Sequence, residues 1–371
     1  MLGNNIDNSI EEMLPSENTT LFLYALLHIH PSFIDFLTSS RCIESVFCGI
    51  LHGLYDSSNA ACIDHLYILV TNVLVVVQDK MLRQSLSHMK AIKAPWYVEH
   101  KLIDTSVADL TMLCTLRCTL HALFKLKDSY LLSNCFAVMI DLAPVLQEID
   151  IYVSERIVKV IYQLAKRSIL SDSASASTTT TPSEADVMSS YLLGDVSIAI
   201  NSRETLGVLL KVCALALHPS KRSRNVHLLY ALIHEYEKLK SVLKSDVDTS
   251  DLAGAGGDSF VLMAFMQQKE LLAMTKHYLD KLNLDKESSY SSAVDAVNAL
   301  RSVLEEEEEN SSVEEGPKRG VNFSYTEEDN ADAFFVPCVW ASMVRVNEEI
   351  DFNMRDTTLF SPIEKRLLRI K

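Results

Sequence analysis

The sequence predicts an all-α protein of stacked antiparallel helix pairs, an α-solenoid of the armadillo or HEAT type. Three observations carry that expectation. Apolar residues recur at helical spacing through most of the chain, and no stretch alternates apolar and polar residues for long enough to make a strand. Gly and Pro number only 10 and 9 among 371 residues. That is too few for the turns of a sandwich or barrel, or for a glycine loop that cradles phosphate. The apolar-periodic segments run to about 10–20 residues and are joined by short turns, as stacked helix pairs require. No fixed repeat period accompanies them, so the solenoid rests on helix number and connection length.

The elements follow in order. Ser16 and Glu17 open a first helix that runs through LFLYALLHIH and stops at Pro31. Short helices are expected over residues 33–37 and 43–55, then a turn at Asp56-Ser57-Ser58-Asn59. A long apolar helix covers residues 60–78, a further piece covers 81–89, and Pro95 breaks the chain ahead of Trp96 and Tyr97. Ser106 with Asp109 forms a capping box in which Asp replaces the usual Glu, opening a helix to about residue 126. The helix over 129–148 contains Pro144, which should kink or end it. A helix over 155–170 closes this half.

Residues 171–183, SDSASASTTTTPS, hold no apolar side chain larger than Ala. They cannot bury enough surface to offset their ordering entropy, and a disordered linker is expected. Helices resume over 186–200 and 204–218, followed by the basic turn Pro219-Ser220-Lys221-Arg222-Ser223-Arg224. Helices over 226–243, 260–282 and 291–304 come next, with a Gly-containing loop at 244–258. Residues 305–315 include seven Glu in eleven, a solvated and mobile run. The last element is expected over 334–346. The organisation is therefore an N-terminal helical array (1–170), a low-complexity linker (171–185), a second helical segment (186–304), an acidic mobile linker (305–333), and a C-terminal capping helix with its tail (334–371).

Composition narrows the function. Lys and Arg total 34 against 49 Asp and Glu, a net charge of −15. Nucleic-acid binding needs clustered cations to displace counterions, so the charge argues against a general nucleic-acid binder, and likewise against wholesale adsorption to anionic lipid. The eight Cys follow no disulfide framework and sit mostly in apolar helices, which points to a reducing compartment. The first 16 residues are polar and acidic with no apolar core of a signal peptide, and Met1-Leu2 offers no myristoylation site. The most apolar run, residues 66–77, is 12 residues long and includes Thr71 and Asn72. A membrane span needs about 20, so a buried helix is expected.

Few residues suggest chemistry. Cys114, Cys118 and His121 share a helix face, but their surroundings are apolar and no second Cys/His pair is near, so they read as core rather than as metal ligands. His28 and His30 diverge on a helix and cannot chelate together. No HExxH, GxSxG, GxGxxG or P-loop pattern occurs. Catalytic, cofactor-binding and metal-binding residues are each expected to be absent. Lys221, Arg222 and Arg224 form a small basic patch, and residues 364–371 form a basic amphipathic tail too short to hold a membrane alone.

The C-terminal region is more specific. Asn330-Ala331-Asp332-Ala333-Phe334-Phe335-Val336-Pro337-Cys338-Val339-Trp340 is followed by Asp356-Thr357-Thr358-Leu359-Phe360. An acidic stretch, then Phe-Phe-Val-Pro-x-Val-Trp, then a terminal Leu-Phe resembles the C-terminal end of the dymeclin family. LFLYALLH at residues 21–28, Trp96-Tyr97 ahead of an apolar helix, Tyr130-Leu131 with Asn134-Cys135 and Ala143, Arg156-Ile157, and LLYALI at 228–233 are similar to that family in the same order. The motif residues are thus Phe334, Phe335, Val336, Pro337, Val339, Trp340, Leu359 and Phe360. The resemblance implies the C-terminal half of a cytosolic protein peripheral to the Golgi, without catalytic activity, supporting Golgi organisation and vesicle traffic through other proteins. It implies no nucleic acid, and membrane association that is indirect or lies in an N-terminal half. The alternative is a peripheral lipid-surface adaptor using the basic loops. From the residues themselves, Phe335, Val339 and Trp340 are expected to dock back on the preceding helices, with Pro337 in the first helical turn.

Overall fold

The computed structural model describes residues 17–29, 31–39, 43–57, 63–90, 94–103, 105–176, 185–243, 259–282 and 292–310. Among them are thirteen α-helices and no strand; Lys90 and Ser106 form an isolated bridge. The all-α class is therefore observed. The chain divides into two compact units between Val138 and Met139.

The first unit holds α1 (Glu17–Ile29), α2 (Pro31–Ser39), α3 (Ile43–Ser57), α4 (Ile63–Gln78), α5 (Lys80–His88), α6 (Val107–His121) and the start of α7 (Ser129–Leu142). Helix α4 is mostly apolar and largely buried, with Leu69 and Val77 fully covered and its polar His65 and Asn72 buried too. Asp79 starts α5 by accepting the Met81 and Leu82 amides at 2.9 and 2.8 Å. Ser106 Oγ accepts the Asp109 amide at 3.0 Å, so the cap foreseen for α6 forms. Helices α3, α4, α5 and α6 close a ring in which each packs on two of the others, and α1 packs on α2 and α4. His65, 5% exposed, ties three helices together, its ring bonded to Thr20 of α1 and Ser57 of α3, each at 3.1 Å.

One described stretch, Val107–Leu126, is long and apolar enough to cross a membrane. In this unit it is a core element: 78% of its most apolar window is buried, with Leu110 and Met112 fully covered. Its last turn, Ala122–Leu126, is a π-helix closed by Lys127 in the left-handed region (φ 55°).

The second unit holds α8 (Ile151–Ala176), α9 (Ala185–Ala216), α10 (Val226–His234), α11 (Tyr236–Val242), α12 (Ser259–Leu282) and α13 (Ala293–Asn310). Helix α8 packs on α9, α10 and α11; α12 packs on α9, α10, α11 and α13; α13 also meets α10. As in the first unit, four helices (α8, α9, α12, α10) close a ring, the pattern that two adjacent helix pairs produce.

Several expectations change. Helix α8 continues through Ala176, so residues 171–176 of the expected linker are helical; extending an existing helix through Ser and Ala costs far less than starting one. A single 32-residue α9 replaces two helices. The polar stretch at 201–205 does not break it: Ser202 and Thr205 are buried in the unit, and Thr205 Oγ1 is satisfied by donating to the Asn201 carbonyl at 2.7 Å. Conversely, the one helix expected at 226–243 is two, divided at Glu235. The acidic run expected to be mobile from residue 305 is helical to Asn310. Pro144 acts as foreseen: α7 ends at Leu142 and the proline lies in a 3-10 turn. The remainder of the 177–184, 244–258 and 311–333 segments, the motif at 334–340, and Leu359 and Phe360 lie outside the described residues.

Candidate interaction groove

The residues singled out for chemistry are placed as follows. Cys114 and Cys118 are fully buried in α6. The Cys118 thiol is pushed well up by its hydrogen bond with Cys135 and by burial; burial likewise raises Cys114, and raises Cys213 to about 12. Such thiols are poor nucleophiles and poor ligands. Burial, helped by Lys125 and Arg117, holds His121 below its ordinary value. No group of three or more His, Cys, Asp or Glu among the described residues is arranged to hold a metal ion. The side chains of His28 and His30 lie outside the described residues.

The basic turn is an internal clamp. Lys221 donates to the Pro144 carbonyl, and Arg224 donates to Gln147 Oε1 at 2.7 Å. Arg222 donates to the Leu217 carbonyl at 3.1 Å and to Tyr278 Oη at 2.8 Å, with its guanidinium 5.5 Å from the Tyr278 ring centroid. All three cations are engaged within the second unit. Behind them sits Asn225, fully buried. Its Nδ2 donates to the Leu146 and Ala216 carbonyls at 3.1 and 2.7 Å, and its Oδ1 accepts the Ile149 amide at 3.4 Å.

The second unit also carries a cavity of about 790 Å³ between α8, α10, α11 and α13. Its floor is apolar: Val158 and Tyr162 from α8, Ala231 from α10, and Val297 from α13. Two rim residues face solvent, Ile151 at 56% and Val294 at 66% exposure, so the cavity is an open groove. The α8 wall contributes positions 151, 155, 158 and 162; the α10 wall contributes 227, 230, 231 and 234; the α13 wall contributes 294, 297, 298 and 301. Each set is one helix face.

The groove's charges are unequally engaged. Glu235 is bonded to Lys238 at 2.7 Å and lies 3.4 Å from His234. Burial would raise its pKa, but those two neighbours hold it below the usual carboxylate range. Lys159 and Arg301 also line the groove, and neither has a carboxylate within ion-pair distance among the described residues. His227 is held below its ordinary value by burial and by Arg301, against the pull of Asp150.

Helix α13 is fixed by a residue that the sequence reading placed in a mobile linker. Glu307 accepts from Tyr278 Oη at 2.6 Å and pairs with Lys281, both on α12. Neither Asn225, Glu307 nor the groove was anticipated. The partners of Asn225 lie up to 79 residues away, and no local spacing signals such a contact.

Comparison with known proteins gives a consistent picture. A family model described as "Dymeclin: Dyggve-Melchior-Clausen syndrome protein" matches residues 4–342. The chain is 22% identical over 368 residues to dymeclin of Rattus norvegicus, covering 96% of this chain and 49% of that protein. To dymeclin of Dictyostelium discoideum it is 28% identical over 161 residues, 43% of this chain and 17% of that protein. To dymeclin of Drosophila melanogaster it is 24% identical over 151 residues, 41% of this chain and 22% of that protein. The chain spans about half the length of the first relatives it matches. No solved structure matches.

Proposed function

Because the chain belongs to the dymeclin family, we propose that it is a non-enzymatic helical scaffold that supports Golgi organisation and vesicle traffic by holding other proteins. The Golgi setting and the absence of catalysis are what the resemblance implies. The observation that carries the scaffold reading is the groove. An open trough walled by three helix faces, apolar at its floor and bordered by exposed Ile151 and Val294 among charged side chains, has the anatomy of a surface that receives another protein's side chains.

The lipid-adaptor reading is the weaker one, since Lys221, Arg222 and Arg224 each make a hydrogen bond within the second unit that a head group would have to replace. The scaffold reading is tested by proximity labelling from the full chain in cells, followed by affinity purification. Enrichment of Golgi and trafficking proteins over an unrelated acidic helical control is the expected result. A labelled set matching that control overturns the reading. Flotation with vesicles rich in phosphatidylserine separates the lipid alternative: the scaffold stays unbound.

A further inference from the structure

We infer that the groove between α8, α10 and α13 receives one amphipathic helix of a partner protein, and that this helix carries carboxylates beside its apolar stripe. The inference deepens the scaffold reading and rests on it. Three features select this occupant.

The first is shape. On α8 the lining runs from position 151 to 163, which at helical rise is about 18 Å, or roughly three turns. A trough of that length, open to solvent at Ile151 and Val294, matches one apolar face of a helix about three turns long and leaves the opposite face in water.

The second is openness. A pocket for a small apolar molecule encloses most of its ligand. Here Ile151 and Val294 stand at the rim with more than half their surface exposed.

The third is charge. In a chain of net charge −15, the groove is lined by Lys159, Lys238 and Arg301 against Glu155 and Glu235. Glu235 is already bonded to Lys238. Lys159 on α8 and Arg301 on α13 remain against the single carboxylate Glu155, and none of the three has an ion-pair partner among the described residues, so the groove keeps a cationic excess of one. A helix with apolar residues at i, i+3, i+4 and i+7 and Glu or Asp on its flanks would fill the floor and answer both cations.

The test uses the full chain and two stapled helical peptides with the same Leu stripe, one flanked by Glu and the other by Lys, followed by fluorescence anisotropy. The Glu-flanked peptide should bind, and the Lys-flanked one about tenfold more weakly or worse. Val294→Asp should abolish binding. Lys159→Glu with Arg301→Glu should invert the preference between the peptides. These three side chains are exposed, and Asp is favourable in the first turn of α13, so unchanged melting temperatures are expected and will show that the variants fold. Equal binding of the two peptides, binding of neither, or binding that survives Val294→Asp overturns the inference. So does saturable binding of laurate, lost in Val294→Asp, without binding of either peptide; that result assigns the groove to a small apolar ligand. The scaffold reading fails separately: a specific labelled set in cells with no peptide binding leaves the scaffold standing and removes the helix from the groove.

Discussion

Asn225 sits where the turn before α8, the end of α9 and the start of α10 converge, and it supplies three hydrogen bonds to backbone groups that no water reaches. Asn225→Leu keeps the size and removes all three bonds. Leaving buried amides and carbonyls unpaired should cost about 3 kcal/mol or more, a fall of roughly 6–12 °C in the melting temperature of a unit this large. A melt that superimposes on wild type would contradict that role. His227 makes a second prediction. Its folded pKa lies below 6.5 through burial and Arg301, with Asp150 opposing. The unfolded chain therefore binds the proton more readily, and stability, full at higher pH, declines as pH falls through that value. His227→Gln should flatten the dependence of melting temperature on pH between about 7.5 and 5.5. Curves that stay parallel to wild type would show that other groups control it. The sequence marked the basic turn beside Asn225 but not Asn225 itself, because its neighbours in space are remote in the chain.

Local chemistry sets some helix boundaries, such as the Ser106 cap and the stop before Pro144, and tertiary partners decide others. The Ser106 cap was legible because a cap is local: an oxygen acceptor three residues before an amide is visible in the residues alone. Ser106→Ala should cost about 1 kcal/mol, checked by chemical denaturation. The end of α13 was not legible. Five successive Glu at 305–309 read as a solvated run, yet Tyr278 and Lys281 on α12 reach Glu307 and extend the helix. Glu307→Gln should weaken the hold of α13 on α12 by about 1 kcal/mol, a modest figure because the carboxylate is 34% exposed. Faster hydrogen exchange along α13, with α8 unchanged, is the expected signature; uniform protection would mean that apolar packing alone holds the helix. The same limit explains α9 and α11. A buried helix absorbs the polar stretch at 201–205, and a break at Glu235 divides a segment whose apolar spacing is continuous.

At the scale of the molecule, the all-α class was open to inspection because helical periodicity is a property of nearly every segment. The division between Val138 and Met139 was not, since it falls inside apolar α7 without a change in composition. Two cores predict calorimetric unfolding that departs from a single two-state transition. Asn225→Leu should move one component and leave the other; a single transition shifted as a whole would show that the units unfold together. The groove was equally hidden, because Ile151 and Val294 have the same spacing and polarity as core residues and differ only in what covers them. The inferred occupancy also sets a stoichiometry. A trough about three turns long that takes one helix offers one berth, so two proteins that both present such a helix would be rivals. Through this face the chain would sort partners by exchange rather than gather them side by side.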